Sequence, residues 1–142
     1  MRNMSTFWLL GRTEACMDKP TVLVVDDDLD ALVLATAVLG NAGYRVFSAV
    51  DVGQALELAR AHHPRVVLLD HHLPVVPGLD SVEALRHEPS LLGAAIVLVT
   101  SRHFGGAEVA HLDGYVRKPW VPETLIQAVE RSHGLSVDLV QS

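Results

Sequence analysis

One cysteine, Cys16, is all that the 142 residues contain, so no disulfide closes within the chain. A lone thiol suits the reducing cytoplasm, and a cytoplasmic location is the expectation. Aromatic residues are scarce at 5%, which leaves any core to be built from aliphatic side chains. No apolar run approaches the ~20 residues that span a bilayer, so no membrane partner is expected. The run "FWLL" near the start is shorter than the roughly 7–15 apolar residues of a signal-peptide core. Basic residues are in deficit as well, 11 Lys and Arg against 17 Asp and Glu, for a formal charge of −6. That balance is the reverse of the basic stripe by which proteins hold nucleic acid, so no direct nucleic-acid contact is expected.

What the chain does have is regular alternation. At 49% hydrophobic and 20% charged residues it suits a single domain with a substantial core. Residues 1–19 show no period and read as an N-terminal extension. The domain is expected over 20–134, with 135–142 a short tail. "TVLVV" from Thr21 is a continuous run of the kind buried on both faces of a parallel sheet. "YRVFSAV", "RVVLLD", "AAIVLVTS" and "GYVRKP" follow as further strands. Between them, "DALVLATAVLGNAG" reads as a helix that is apolar nearly all round. "DVGQALELARAHHP" places Val52, Ala55, Leu56 and Ala59 at helical spacing before the Pro64 stop. Leu79, Val82 and Leu85 mark another helix face. A last helix carries Leu125, Ile126 and Val129, with Pro122 in its first turn. Strands alternating with helices make an α/β fold, a parallel sheet covered on both faces.

In such open sheets the ligand site lies beyond the carboxyl ends of the strands. Those ends are polar here: Asp26-Asp27-Asp28, then Asp70, Thr100-Ser101 and Lys118-Pro119. Two carboxylates about 4 Å apart repel by roughly 4 kcal/mol at an effective dielectric of about 20. A cation held among them removes that conflict. Asp28 reads as the cap of the first helix rather than as a ligand.

An acidic pair after the first strand, one Asp after the third, Thr-Ser after the fourth and Lys-Pro after the fifth together resemble the receiver domain of two-component response regulators. The phrases "VLVVDDD", "VVLLDHHLPVVPG", "VLVTS" and "GYVRKPW" carry the resemblance, from about Thr21 to His133. It implies a flavodoxin-like, doubly wound five-stranded sheet of order 2-1-3-4-5. It implies that Asp70 is the phosphoacceptor, attacking a phosphohistidine in a sensor histidine kinase or a histidine phosphotransfer protein. Mg²⁺ would be held by Asp27, Asp70 and the backbone carbonyl of His72, with Asp26 acting through a water. Lys118 would offset charge, and Thr100 would donate its hydroxyl to the phosphoryl group. Tyr115 matches the aromatic that changes rotamer as Thr100 moves, while His72 and Arg102 flank the phosphoryl site. Such a domain is not a dedicated enzyme.

The chain departs from the family pattern between Thr100 and Tyr115. That segment is about one turn short and contains Gly105-Gly106, so the fourth of five helices is expected to be shortened. The paired histidines His62-His63 and His71-His72 lack the spacing of a zinc site and read as surface residues. The expected function is that of a stand-alone receiver signalling by protein contact, with self-association as a homodimer open. Two rivals are a receiver-like binding module that works without phosphorylation and a small phosphohydrolase of the haloacid dehalogenase type. The latter would use Asp26-x-Asp28 with Thr100 and Lys118.

Overall fold

The computed structural model describes residues 19–70, 78–101 and 113–132. Strands β1 (Thr21–Val25), β2 (Arg45–Ala49), β3 (Val66–Asp70), β4 (Ala95–Thr100) and β5 (Gly114–Arg117) form one sheet. Its order is β2-β1-β3-β4-β5 and every pairing is parallel, as the resemblance implies. Helices α1 (Leu29–Asn41), α2 (Val52–His62), α3 (Gly78–Arg86) and α4 (Pro122–Ser132) accompany it, with a 3₁₀ turn at Pro89–Leu91. The expected extension, the tail and the shortened helix between β4 and β5 lie outside the described residues.

Alternation within each strand builds two aliphatic layers, because successive side chains point to opposite faces. Val22, Val24, Leu68 and Val99 pack with Leu32, Leu39 and Leu125, on the side of α1 and α4. Leu23, Val25, Leu69 and Leu98 pack with Ala55, Ala59 and Leu85, on the side of α2 and α3. β3 and β4 are buried at every position, which is why both read as unbroken apolar runs. β5 pairs with β4 through a close approach. A Cβ on Gly114 would sit 3.0 Å from Val97 Cγ2, so a larger residue at this strand start would require the Val97 side chain to give way by a few tenths of an ångström.

Local chemistry sets the helix ends. Asp28 caps α1 and Asp51 caps α2 through the Gln54 N–H. The carbonyl of Val121, not its side chain, accepts the Thr124 and Leu125 amides as α4 begins. α2 ends at His63, whose backbone is left-handed at φ 50. His62 stacks on Phe47 with ring centroids 3.8 Å apart, in keeping with a structural role. A helix apolar all round is normally buried all round, yet Leu29, Val33 and Leu34 of α1 are exposed. One sheet layer covers one face only, and nothing among the described residues covers the other.

Candidate functional site

Each polar residue of the site stands where a strand has just ended. Past Val25 the Asp26 amide still donates to the Ala49 carbonyl at 3.0 Å, which prolongs the β1–β2 ladder by one rung. Asp26 is thereby turned inward and is 6% exposed. Its Oδ1 accepts the Asp28 amide at 2.9 Å. Asp28 points the other way and accepts the Asp30 amide at 3.0 Å, capping α1 as expected. Asp27, between them, is exposed.

Asp70 ends β3, in register with Val99, and is 3% exposed. Thr100 ends β4 and is fully buried. Beyond β5, the Lys118 amide donates to the Thr100 carbonyl at 2.8 Å, and the Lys118–Pro119 peptide is cis. This main-chain tether aims the ammonium back across the sheet. Lys118 Nζ lies 3.0 Å from Asp70 Oδ1 and 3.8 Å from Asp26 Oδ2.

Carboxylate oxygens of Asp26, Asp27 and Asp70 all fall within 4.8 Å of one another, a group able to hold a metal ion. Three carboxylates facing one ammonium leave two negative charges uncompensated, which is the charge of one divalent cation. The imbalance is visible in the acid equilibria. Burial, first, pushes the Asp26 carboxyl up to about 6, and the charges of Asp70 and Asp27 add to it. The Asp28 amide and Lys118 pull it partly back. For Lys118, burial works against the ammonium. The hydrogen bond and charge of Asp70, with Asp26 and Asp28 behind them, outweigh it and raise the pKa.

A small cavity of about 30 Å³ lies beneath this cluster, lined by Asp26, Asp70 and Lys118 together with Ala31, Ala35 and Trp120. Trp120 also walls an open groove of about 460 Å³, with Leu34, Ser101, Lys118 and Pro119. Trp120 is not among the site residues expected from sequence; its only signal was its place two residues after the strand-end lysine. The structure thus brings Asp26, Asp27, Asp70 and Lys118 together, with Thr100 tied to Lys118 through the main chain. Tyr115 sits half-buried on β5, in register with Leu98. His72 and Arg102 lie outside the described residues.

Among the described residues no helix is long and apolar enough to cross a membrane. The sequence matches the family model described as "Response regulator receiver domain" over residues 22–130. It is 35% identical over 114 residues to the transcriptional regulatory protein PrrA of Mycobacterium tuberculosis, covering 78% of this chain and 48% of that one. It is 36% identical over 112 residues to the DNA-binding response regulator MtrA of Mycolicibacterium smegmatis, covering 76% and 48%. The chain therefore spans about half the length of these curated relatives, which are named for regulating transcription or binding DNA. Among solved structures, the chemotaxis response regulator CheY4 of Vibrio cholerae superposes with a TM-score of 0.72 at 28% identity, covering 80% of this chain and 98% of that one. The receiver domain of sensor histidine kinase PA1611 of Pseudomonas aeruginosa, described with a magnesium ion coordinated in its active-site cleft, gives 0.71 at 25%, covering 81% and 98%. Sequence, topology and these likenesses agree: the chain belongs to the response regulator receiver domain family of two-component signalling.

Proposed function

We propose that this domain is a phosphorylation switch in which Asp70 accepts a phosphoryl group from a phosphohistidine of a sensor kinase or a histidine phosphotransfer protein. The observation that carries this reading is Asp70 itself. It is buried at a strand end, within 3.0 Å of an ammonium and beside two further carboxylates. An Asp70 oxygen attacks phosphorus, the P–N bond to the donor imidazole breaks, and an acyl phosphate results. Lys118 is placed to balance the charge that this brings to the pocket. Thr100 donates its hydroxyl to the phosphoryl oxygens, and Tyr115 responds to that shift. By the family resemblance, positions 72 and 102 would flank the phosphoryl group, and the His72 carbonyl would be the third protein ligand to the metal.

The donor set fits Mg²⁺, which takes oxygen ligands, keeps several waters and needs few carboxylates. Asp27 and Asp70 are the direct ligands in this reading, with Asp26 acting through water. Bound there, the ion would supply positive charge beside the transferred phosphoryl oxygens. The phosphohydrolase reading loses support because Asp28, its second acid, is turned outward and engaged as a helix cap. The domain unit is residues 20–134, acting in the cytoplasm through protein partners. Relatives named as transcriptional regulators make a DNA-directed output of the whole protein part of this proposal, against the expectation from net charge.

The test is labelling with acetyl phosphate and Mg²⁺ followed by site mapping. A hydroxylamine-sensitive adduct on Asp70 supports the reading. An adduct on Asp26, or none at any donor concentration, overturns it.

A further inference from the structure

The strand order β2-β1-β3-β4-β5 makes β2 an outer strand, bonded to β1 on one side only. The Ala49 carbonyl accepts the Asp26 amide of the chain that continues β1. Ala49, and with it Phe47 and Arg45, therefore turns its backbone N–H and C=O toward β1. Val46 and Ser48, at the alternate positions, turn theirs outward.

On that outward side the neighbouring amides are already committed. The Tyr44 amide donates to the Leu39 carbonyl at 3.0 Å, and the Val50 amide donates to Gln54 Oε1 at 2.8 Å. Among the described residues nothing accepts from the Val46 and Ser48 amides or donates to their carbonyls. The usual guards of an open edge are missing as well. β2 reads "RVFSA", without lysine or proline, and its register with β1 runs through all five residues without a bulge. Its one charge, on Arg45, is drawn over the Phe47 ring, with Cζ 5.4 Å from the ring centre.

This edge is complementary to itself in one register. A two-fold axis through Phe47 lays β2 antiparallel against β2 of a second copy. Val46 then stands opposite Ser48 of that copy, and Ser48 opposite its Val46. Both are hydrogen-bonded pairs, each exchanging its two N–H···O bonds, so every outward group of the strand finds a partner. With the axis at Val46, Ser48 would face Tyr44; with the axis at Ser48, Val46 would face Val50. Both alternatives meet an amide that is committed elsewhere.

The side chains suit the same register. Phe47 meets its counterpart as a non-bonded pair, where Cα atoms approach to about 4.5 Å and aromatic rings reinforce the pairing. His62, stacked on Phe47 at 3.8 Å, sets the plane of that ring. Arg45 falls opposite Ala49, so like charges do not face each other directly across the pair.

We infer that β2 is a self-pairing edge, through which a second copy of this chain extends the sheet antiparallel about Phe47. The rival occupant is an extended segment of a different protein. The inference does not depend on phosphorylation of Asp70.

The test combines sedimentation equilibrium of the full chain with residue-resolved amide hydrogen exchange. Raising the concentration about a hundredfold should draw monomer into dimer by mass action. Over that range the Val46 and Ser48 amides should slow by about tenfold or more, whereas those of Phe47 and Ala49, already bonded to β1, should be slow throughout. Ser48→Pro deletes one outward donor at an edge position where proline is tolerated, and should stay monomeric with an unchanged thermal midpoint in dilute solution. Ser48→Lys keeps every backbone group but sets two ammonium groups diagonally across the axis, and should weaken the dimer by about tenfold. Should Ser48→Pro fail to fold, Ser48→Lys and the exchange of the unaltered protein decide the matter. A chain monomeric at every concentration, a dimer that leaves the Val46 and Ser48 amides fast, or a dimer indifferent to both substitutions would each overturn the inference.

Discussion

At the amino end of the sheet, Asp113 Oδ2 accepts both the Arg86 guanidinium at 3.1 Å and the Ile96 amide at 2.8 Å, and Arg60 reaches Glu88 at 3.0 Å. At the carboxyl end one lysine serves a cluster of three aspartates. The acid equilibria diverge accordingly. The Ser90 hydroxyl, with Arg60, holds Glu88 below the usual carboxylate range, while burial lifts Asp26 to about 6. One end is neutralised by its own side chains. The other is built short of positive charge, and that deficit marks where an external cation and a transferred group belong. The fold therefore stores its electrostatic cost at one rim, and substitutions at the two rims should have opposite signatures.

The largest contrast concerns labelling. Asp70→Asn should abolish Mg²⁺-dependent phosphoryl uptake from acetyl phosphate, while Asp113→Asn at the opposite end should retain it fully. Intact-mass measurement after treatment reads both, and a full adduct on Asp70→Asn would remove the distinction. Metal affinity comes next. Asp27→Ala should weaken Mg²⁺ binding at least tenfold and Asp28→Ala by less than twofold, because one is a ligand in the proposed set and the other a cap. At 100 times the dissociation constant, Mg²⁺ should add about 2.7 kcal/mol to the unfolding free energy of the unaltered protein. Equal losses in the two variants would overturn the assignment of Asp27 as ligand and Asp28 as cap.

Stability without metal should separate the rims further. Lys118→Met leaves Asp26 and Asp70 with no counter-charge and should cost about 3 kcal/mol at pH 7.5. Arg86→Met, breaking a half-exposed pair, should cost under about 1 kcal/mol in the same urea titration. The pH dependence has a definite sign. Asp26 holds its proton more tightly when folded, from 3.8 ordinarily to about 6. Its contribution is therefore complete below about pH 4 and disappears as pH rises through about 6. Metal-free protein should lose on the order of 2 kcal/mol over that window. Asp26→Asn, which keeps the Oδ1 acceptor for the Asp28 amide, should flatten the profile and be the more stable protein at pH 7.5. A profile unchanged by Asp26→Asn would assign the loss to another group. The smallest effect lies away from both rims: His63→Gly should add roughly 0.5–1 kcal/mol, since glycine adopts a positive φ without strain. Thermal unfolding that fails to rise would show that the His63 ring contributes more than its backbone costs.

The strands and the polar rim were legible because both follow from local composition. Unbroken runs such as "VVLLD" have one stable environment, and a polar residue ending such a run has little choice but to sit at the sheet rim. Asp28 as a cap was equally local. Strand order came from the family resemblance, since alternation alone does not say which strand lies beside which. What stayed hidden was non-local or backbone-made. Asp113 joins Arg86 to the Ile96 amide across 27 and 17 positions, and no local pattern announces that. Trp120 gains its place as a shared wall only when α1 is laid beside the end of β5. The 3₁₀ turn at Pro89–Leu91 depends on a Glu88 carboxylate that also meets Arg60. The exposure of Leu29, Val33 and Leu34 on α1 was not legible, because hydropathy reports how apolar a helix is, not how many neighbours it will have.

The tether between the Lys118 amide and the Thr100 carbonyl has a consequence for which residue can occupy position 118. Asp70 ends β3 and Lys118 follows β5, so one whole strand stands between them. Adjacent strands lie about 4.8 Å apart, which puts the two backbones roughly 10 Å from each other. With its main chain pinned, residue 118 must bridge that gap by side-chain length alone. Four methylenes are enough to carry an ammonium to 3.0 Å from Asp70, whereas histidine or serine would fall short of it. The sheet thus acts as a ruler, and the width of a single strand selects the amino acid that reads it.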